Sequence, residues 1–389
     1  MDNARENAEE NARENTRENT GSTPAAVVVP PGLKGLAVAD TEIGSVRGSE
    51  GFFHYRAYDA TEVARTRSFE DAWSMVVDGD FPADDRFAKD VAVRRALPAG
   101  LAPATDASAL RALQRALLTL ADLEGFGPTL DIDAATRRDQ VLRVAAVTPT
   151  LLAAAERGDA PVAVRDDLGH AAHWLWLLTG EEPDPARARA VETYLSLTID
   201  HGFNNSTFTA RSITSTGADV VAAVVGAIGS MSGPLHGGAP SRALDMINDI
   251  GDPDNVDTWL GPRLEAGEKV MGFGHAVYRA DDPRSTLLRD VALGLGGEVV
   301  ERAVAIEERI LTHMRAWKPE ATIVTNVEYY AGVVLSLAGI PQHLFTATFT
   351  VSRVVGWTAH ILEQAADNKI IRPSANYVGP QAPQPVPLG

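Results

Sequence analysis

The 389-residue chain is predicted to be mainly α-helical, and three observations carry that expectation. Apolar residues recur at helical spacing along most of its length: Leu110, Leu113, Leu117 and Leu120 in one segment, Val299, Ala303, Ile306, Ile310 and Met314 in another. Strict apolar–polar alternation is scarce outside one place near the N-terminus. Composition is that of an ordinary globular enzyme, 45% hydrophobic and 22% charged.

In chain order, residues 1–20 repeat in tetrads, with Asn at 3, 7, 11, 15 and 19. Nothing large and apolar is available there to bury, so residues 1–34 read as a disordered low-complexity tail. The exception to helical patterning follows: residues 41–46 and 52–55 flank Gly48-Ser49-Glu50-Gly51, which predicts a β-hairpin. Ser68 and Asp71 have capping-box spacing ahead of Phe69, Trp73, Val76 and Val77 on one face, and Gly79 ends that helix. Pro240 suits the first turn of a helix through Ala243, Leu244, Ile247 and Ile250. Thr325 or Asn326 would cap a helix through Tyr330, Val333, Val334 and Leu337.

Several function classes are excluded early. There are no cysteines, which removes disulfides, thiolate metal sites and a Cys nucleophile. Net charge is −17, unfavourable for nucleic acid or an anionic membrane. No apolar run approaches the ~20 residues a spanning helix needs. The polar, acidic N-terminus does not read as a signal peptide, so the expected location is cytoplasmic. HExxH, P-loop and GxSxG patterns are absent. His170 and His173 stand among Trp174 and Trp176 and read as core or partly exposed histidines rather than zinc ligands. No metal site is expected. Asn204 and Asn205 open formal glycosylation sequons, without meaning in a cytoplasmic chain.

The chemistry concentrates at Gly/Pro-rich interruptions: residues 232–238, 272–275 and 339–341. Glycine there lets backbone approach a ligand or act as a hinge. His236 lies near a helix N-terminus, whose dipole disfavours imidazolium. A neutral ring could donate to the oxygen of a developing enolate, or simply cap or pack. His275 follows Gly272-Phe273-Gly274, a weak phosphate-loop signal on its own. Arg279 and Arg284 could serve phosphate and carboxylate, or lie solvated. Glu328, in the first turn of its helix, should be held ionised by the dipole, the form a general base requires; a plain helix-start Glu is the alternative. Arg353 in an apolar helix needs a partner or ligand, and Arg372 precedes Pro373; either could instead form a structural salt bridge.

Together these stretches resemble the citrate synthase family over residues 35–380. The matching motifs are His201-Gly202-Phe203-Asn204-Asn205-Ser206-Thr207-Phe208-Thr209, Gly233-Pro234-Leu235-His236-Gly237-Gly238-Ala239, Gly272-Phe273-Gly274-His275-Ala276-Val277-Tyr278 with Asp282-Pro283-Arg284, Asn326-Val327-Glu328, residues 349–353, and Arg372-Pro373. The resemblance implies a two-domain helical homodimer with shared active sites: a large domain from 35–235 and 339–389, and a small domain, 236–338, that closes over the ligands. It implies condensation of acetyl-CoA with oxaloacetate and hydrolysis to citrate and CoA, with no cofactor beyond the acetyl-CoA substrate. His236 would donate to the thioester oxygen, Glu328 would remove the methyl proton, and His275 would polarise the oxaloacetate carbonyl. His201, Arg284, Arg353 and Arg372 would hold the carboxylates, Arg372 from the neighbouring subunit. Val270, Met271, Gly272, Phe273, Gly274 and Arg279 resemble the CoA site.

One residue departs from the family pattern, which usually has Asp where this chain has Glu328. The extra methylene displaces a carboxylate by roughly 1 Å, enough to cost ~10²-fold in rate if uncompensated. Two alternatives therefore accompany the leading one: a 2-methylcitrate synthase using propionyl-CoA, and a weakly active or silent member that senses CoA or a dicarboxylate.

Overall fold

The computed structural model of the chain describes residues 30–33, 35–105, 107–158, 162–234, 236–275, 277–367 and 369–387. The repeat tail of residues 1–20 lies outside the described residues, as does most of the expected disordered stretch 1–34. Residues 1–40 and 41–389 form two units. Within the first, the described part holds a single 3-10 turn, Pro31–Leu33.

The second unit opens on the predicted hairpin. Strands β1 (Gly44–Arg47) and β2 (Phe52–Tyr55) pair antiparallel, with Gly44 opposite Tyr55 and Arg47 opposite Phe52. A third strand, β3 (Tyr58–Asp59), adds to β2 through His54 opposite Asp59. Two residues are too few to show an alternating pattern, which is why the sequence predicts only the hairpin. Ile43, Phe53 and Tyr55 are buried and tie the sheet to the helical core.

Helices make up most of the remaining regular structure among the described residues. They are α1 (Ala60–Thr66), α2 (Phe69–Asp78), α3 (Arg86–Val93), α4 (Ala109–Glu124), α5 (Ala134–Arg157), α6 (His170–Thr179), α7 (Pro185–Thr198), α8 (Asn205–Thr214) and α9 (Val220–Met231). Then come α10 (Ala239–Ile250), α11 (Val256–Glu265), α12 (Pro283–Leu295), α13 (Glu298–Trp317), α14 (Val327–Leu337) and α15 (Phe345–Asp367). The mainly α expectation holds. Among the described residues no helix is long and apolar enough to cross a membrane.

Local chemistry sets the ends of these helices. At α2 the Ser68 hydroxyl accepts from Asp71 N–H (3.1 Å), and the Asp71 carboxylate accepts from Ser68 N–H (3.4 Å). Gly79 closes that helix at φ 96°, a left-handed conformation that favours glycine. At α14 it is Asn326, not Thr325, whose side chain accepts from the helix, through Glu328 N–H at 3.1 Å.

Helix α15 runs through the core. Buried residues occupy almost its whole length, and it packs against α2, α5, α7, α8 and α9. Only close packing on every side explains a helix with so little polar surface. Helix α14 packs against α10 and α12. That contact needs glycine at 332: a Cβ there would meet Pro240 O at 2.8 Å. His170 and His173 on α6 are buried. His170 stacks on Phe69 (5.3 Å) and meets Trp73 edge-on, so it serves as core.

Candidate active site

Residues from six separated segments converge on one cavity of about 270 Å³. Its walls include His201, His236, His275, Arg284, Glu328 and Arg353, six of the residues singled out in the sequence. Tyr194, Thr198 and Phe349 complete the apolar side. A wider cleft of about 770 Å³ shares His236, His275 and Glu328 with it. That cleft is lined by the whole loop 270–274, together with Arg242, Lys269 and Lys318. The three residues given chemical roles therefore stand where an inner chamber meets an outer cleft.

Each side chain is held by identifiable bonds. His275 Nδ1 accepts the N–H groups of Val277 and Tyr278, both at 2.9 Å. A neutral ring must then carry its proton on Nε2, which lies 3.3 Å from Arg284 Nη2. That nitrogen can donate to a ligand oxygen. His236 Nε2 lies 2.8 Å from Ser206 Oγ. His201 Nε2 lies 3.0 Å from the buried Tyr278 hydroxyl. Arg353 donates Nε–H to Thr198 O (2.8 Å) and sits over the Phe349 ring.

Asp282 joins the two halves of the constellation. It is fully buried and grips Arg284 with both oxygens, at 3.0 and 2.8 Å. The same carboxylate accepts the N–H of Val327 at 3.0 Å, at the start of the helix that carries Glu328. A second brace is backbone. Asn326 N–H donates to Gly272 O (2.9 Å), Asn326 Nδ2 to Gly274 O (2.9 Å), and Gly274 N–H to Val324 O (2.8 Å). Gly272, at φ 83°, could carry no side chain; a Cβ would lie 2.9 Å from Tyr329 Cδ2. The loop before His275 is thus fixed to the strand-like segment before Glu328.

Burial sets the protonation states. It lowers the His236 pKa to about 4, helped by the Arg353 charge. It lowers His275 to about 4 as well, with Arg284 adding to the effect and Asp282 opposing it. His201 is lowered well below the ordinary histidine range, by burial and then Arg284 and Arg353. The sequence expectation of a neutral imidazole at 236 agrees in direction, and His275 is shifted the same way. Its stated cause at His236, a helix dipole, is replaced by burial beside Arg353. For Glu328 the expectation is reversed: burial pushes its pKa up, and the Arg284 charge only partly offsets that. The walls around the carboxylate outweigh the dipole of its helix.

A pH dependence follows. The roles expected from the sequence would need Glu328 ionised and the histidines neutral. The acid limb of kcat/KM should therefore reflect one group, titrating above the ~4.3 of a free glutamate. The histidines stay neutral down to about 4 and shape the profile only there. They also bear on stability. Unfolded imidazoles bind protons from about 6.5 downward, so their contribution is present above that pH and is lost as pH falls toward 4. Two acid limbs near neutrality in a pH–rate profile would contradict this.

Two expected site residues lie elsewhere. Arg279 is exposed and donates to the carbonyls of His275 (3.1 Å) and Tyr278 (2.8 Å); it lines neither cavity. Arg372 is exposed in the extended segment after α15 and lines neither. Sequence reasoning gave no individual role to Asp282, Ser206, Asn204 or Tyr278, although all stand inside the quoted motifs. Tyr194 and Thr198 had no signal at all.

Comparison with known proteins gives a consistent picture. The family described as citrate synthase, C-terminal domain, matches residues 32–374. A citrate synthase of Haloferax volcanii is 36% identical over 367 residues, spanning 90% of this chain and 95% of its own. The crystal structure of citrate synthase from Thermotoga maritima is similar with a TM-score of 0.79 at 31% identity, over 92% of this chain and 97% of that one. Citrate synthase from the archaeon Thermoplasma acidophilum, solved as a ternary complex with carboxymethyl coenzyme A and oxaloacetate, gives 0.81 at 25% identity, over 92% and 98%.

Proposed function

The chain belongs to the citrate synthase family, and from that premise we propose that it condenses acetyl-CoA with oxaloacetate and hydrolyses the product to citrate and CoA. The observation that carries the reading is the meeting of His236, His275 and Glu328 at the junction of the two cavities. Acetyl-CoA occupies the outer cleft, along the loop 270–274. Oxaloacetate fills the inner chamber, its carboxylates held by His201, Arg284 and Arg353.

The chemistry then runs as follows. A thioester methyl is a very weak acid, so proton removal needs stabilisation of the oxygen at the same moment. Glu328 takes the methyl proton while His236 donates to the thioester oxygen. The enolate carbon attacks the ketone carbon of oxaloacetate. His275 donates a hydrogen bond from Nε2–H to the oxygen of that ketone, and the alkoxide that forms takes up the proton Glu328 removed, which makes the hydroxyl and restores the base. Water then cleaves the thioester and releases the CoA thiol. No metal or redox cofactor is required. Residues 236–338 act as a small domain closing over the ligands, which excludes water and strengthens the polar contacts. A homodimer supplies Arg372 from the neighbouring subunit.

The test is thiol release on mixing acetyl-CoA with oxaloacetate. The chain has no cysteine, so the protein adds no background to it. Ligand binding without thiol would overturn the reading. A higher kcat/KM for propionyl-CoA would reassign the acyl substrate, a discrimination of ~1–3 kcal/mol per methylene. Arg372→Ala is expected to raise the oxaloacetate KM about tenfold, through loss of one charge-assisted contact. An unchanged KM would remove Arg372 from the site.

A further inference from the structure

Three polar groups surround the Ser206 hydroxyl, and each has a different capacity. Trp357 Nε1–H, 3.1 Å away, can only donate. Asn204 Oδ1, at 2.8 Å, can only accept; its orientation is fixed because it also takes the N–H of Thr207 as the cap of α8. His236 Nε2, at 2.8 Å, can do either. Ser206 and Trp357 are both fully buried, so water does not enter the arrangement.

The hydroxyl has one proton and two acceptors in reach. If the proton goes to Asn204, His236 carries its own proton on Nε2 and offers a bare Nδ1 to the cavity. If it goes to His236 Nε2, the ring keeps its proton on Nδ1. Only the second tautomer lets Nδ1, which has no protein partner among the described residues, donate to a ligand.

We propose that Trp357 is a positioning residue that sets the tautomer of His236 through Ser206. The indole N–H occupies one lone pair of Ser206 Oγ. An oxygen that already accepts a hydrogen bond is a poorer acceptor for a second one and a stronger donor. The hydroxyl proton therefore turns to His236 Nε2, and Nδ1 retains its proton. Trp357 stands one turn beyond Arg353 on α15, so the same helix face supplies a cation to the cavity and an indole behind it. The catalytic consequence rests on the proposed role of His236 as donor to the thioester oxygen; the tautomer does not.

Nitrogen-15 NMR of histidine-labelled protein tests the proposal directly. In the native protein His236 should be protonated on Nδ1; an Nε2–H form would overturn the proposal without any variant. Trp357→Phe keeps an aromatic ring and removes the N–H. It should shift His236 toward the Nε2–H tautomer and lower kcat about tenfold, the rate equivalent of one hydrogen bond, with the oxaloacetate KM unchanged. In a Ser206→Ala background the same substitution should have no further effect on kcat. An equal loss in that background, or a loss without a change of tautomer, would overturn the proposal in favour of simple packing. A changed tautomer with undiminished kcat would uphold the positioning and overturn instead the role given to His236.

Discussion

Glu328→Gln is expected to lower kcat by roughly 10²–10⁴-fold, the range a positioned base contributes. Oxaloacetate affinity should stay within a few-fold. The amide keeps the length of the side chain and its place in the first turn of α14, but cannot take a proton. Arg284 stays paired with Asp282, so the group proposed to hold the dicarboxylate is undisturbed. Rapid-quench turnover and calorimetric titration with oxaloacetate separate the two effects; weak binding with intact turnover would refute the base assignment. Glu328→Asp is the companion experiment. It retracts the carboxylate by roughly 1 Å, and a loss approaching ~10²-fold would mean that the site is built around the longer side chain.

Asp282→Ala should have the largest effect on the fold. It leaves the Arg284 guanidinium buried without its two-pronged partner and strips the acceptor from Val327 N–H. Removing one member of a buried ion pair costs about 3–5 kcal/mol, because the remaining charge is uncompensated. Denaturant midpoints of the variant and the native protein measure this. An unchanged midpoint would mean that Arg284 finds another counter-ion. The oxaloacetate KM should rise as well, since Arg284 is no longer held in the cavity wall.

Much of this site was legible in the sequence, for physical reasons. His236 and His275 stand in loops whose glycines are required by close backbone approach. At Gly237 a Cβ would lie 2.5 Å from Met231 O, and at Gly272 it would strike Tyr329. Such loops mark themselves in composition. Glu328 stands out beside its cap and Arg353 in its apolar surroundings, but only the family resemblance gives either a role. Asp282 was not: its partners lie two residues away at Arg284 and 45 away at Val327, and the second link exists only in three dimensions. Trp357 likewise reads as one more apolar core residue until its N–H is traced to Ser206. The raised pKa of Glu328 was misjudged because helix position is visible in sequence while cavity walls are not. Arg279 stands near the same motif, exposed and donating to the carbonyls of His275 and Tyr278.

The β1–β2 turn meets the segment that carries His275 and Arg284 backbone to backbone. Gly48 O accepts Arg279 N–H at 2.8 Å, and a Cβ at 48 would lie 2.3 Å from Val277 O. At Gly51 a Cβ would come within 3.0 Å of Asp281 O. Backbone oxygens stand at both points, with Val277 Cγ1 and Ala280 Cβ beside them, so the fit works as a latch with few adjustable parts. Any swing of residues 277–281 must either drag the hairpin tip along or unfasten that one backbone hydrogen bond, and a single methyl group at position 48 would prop the latch ajar.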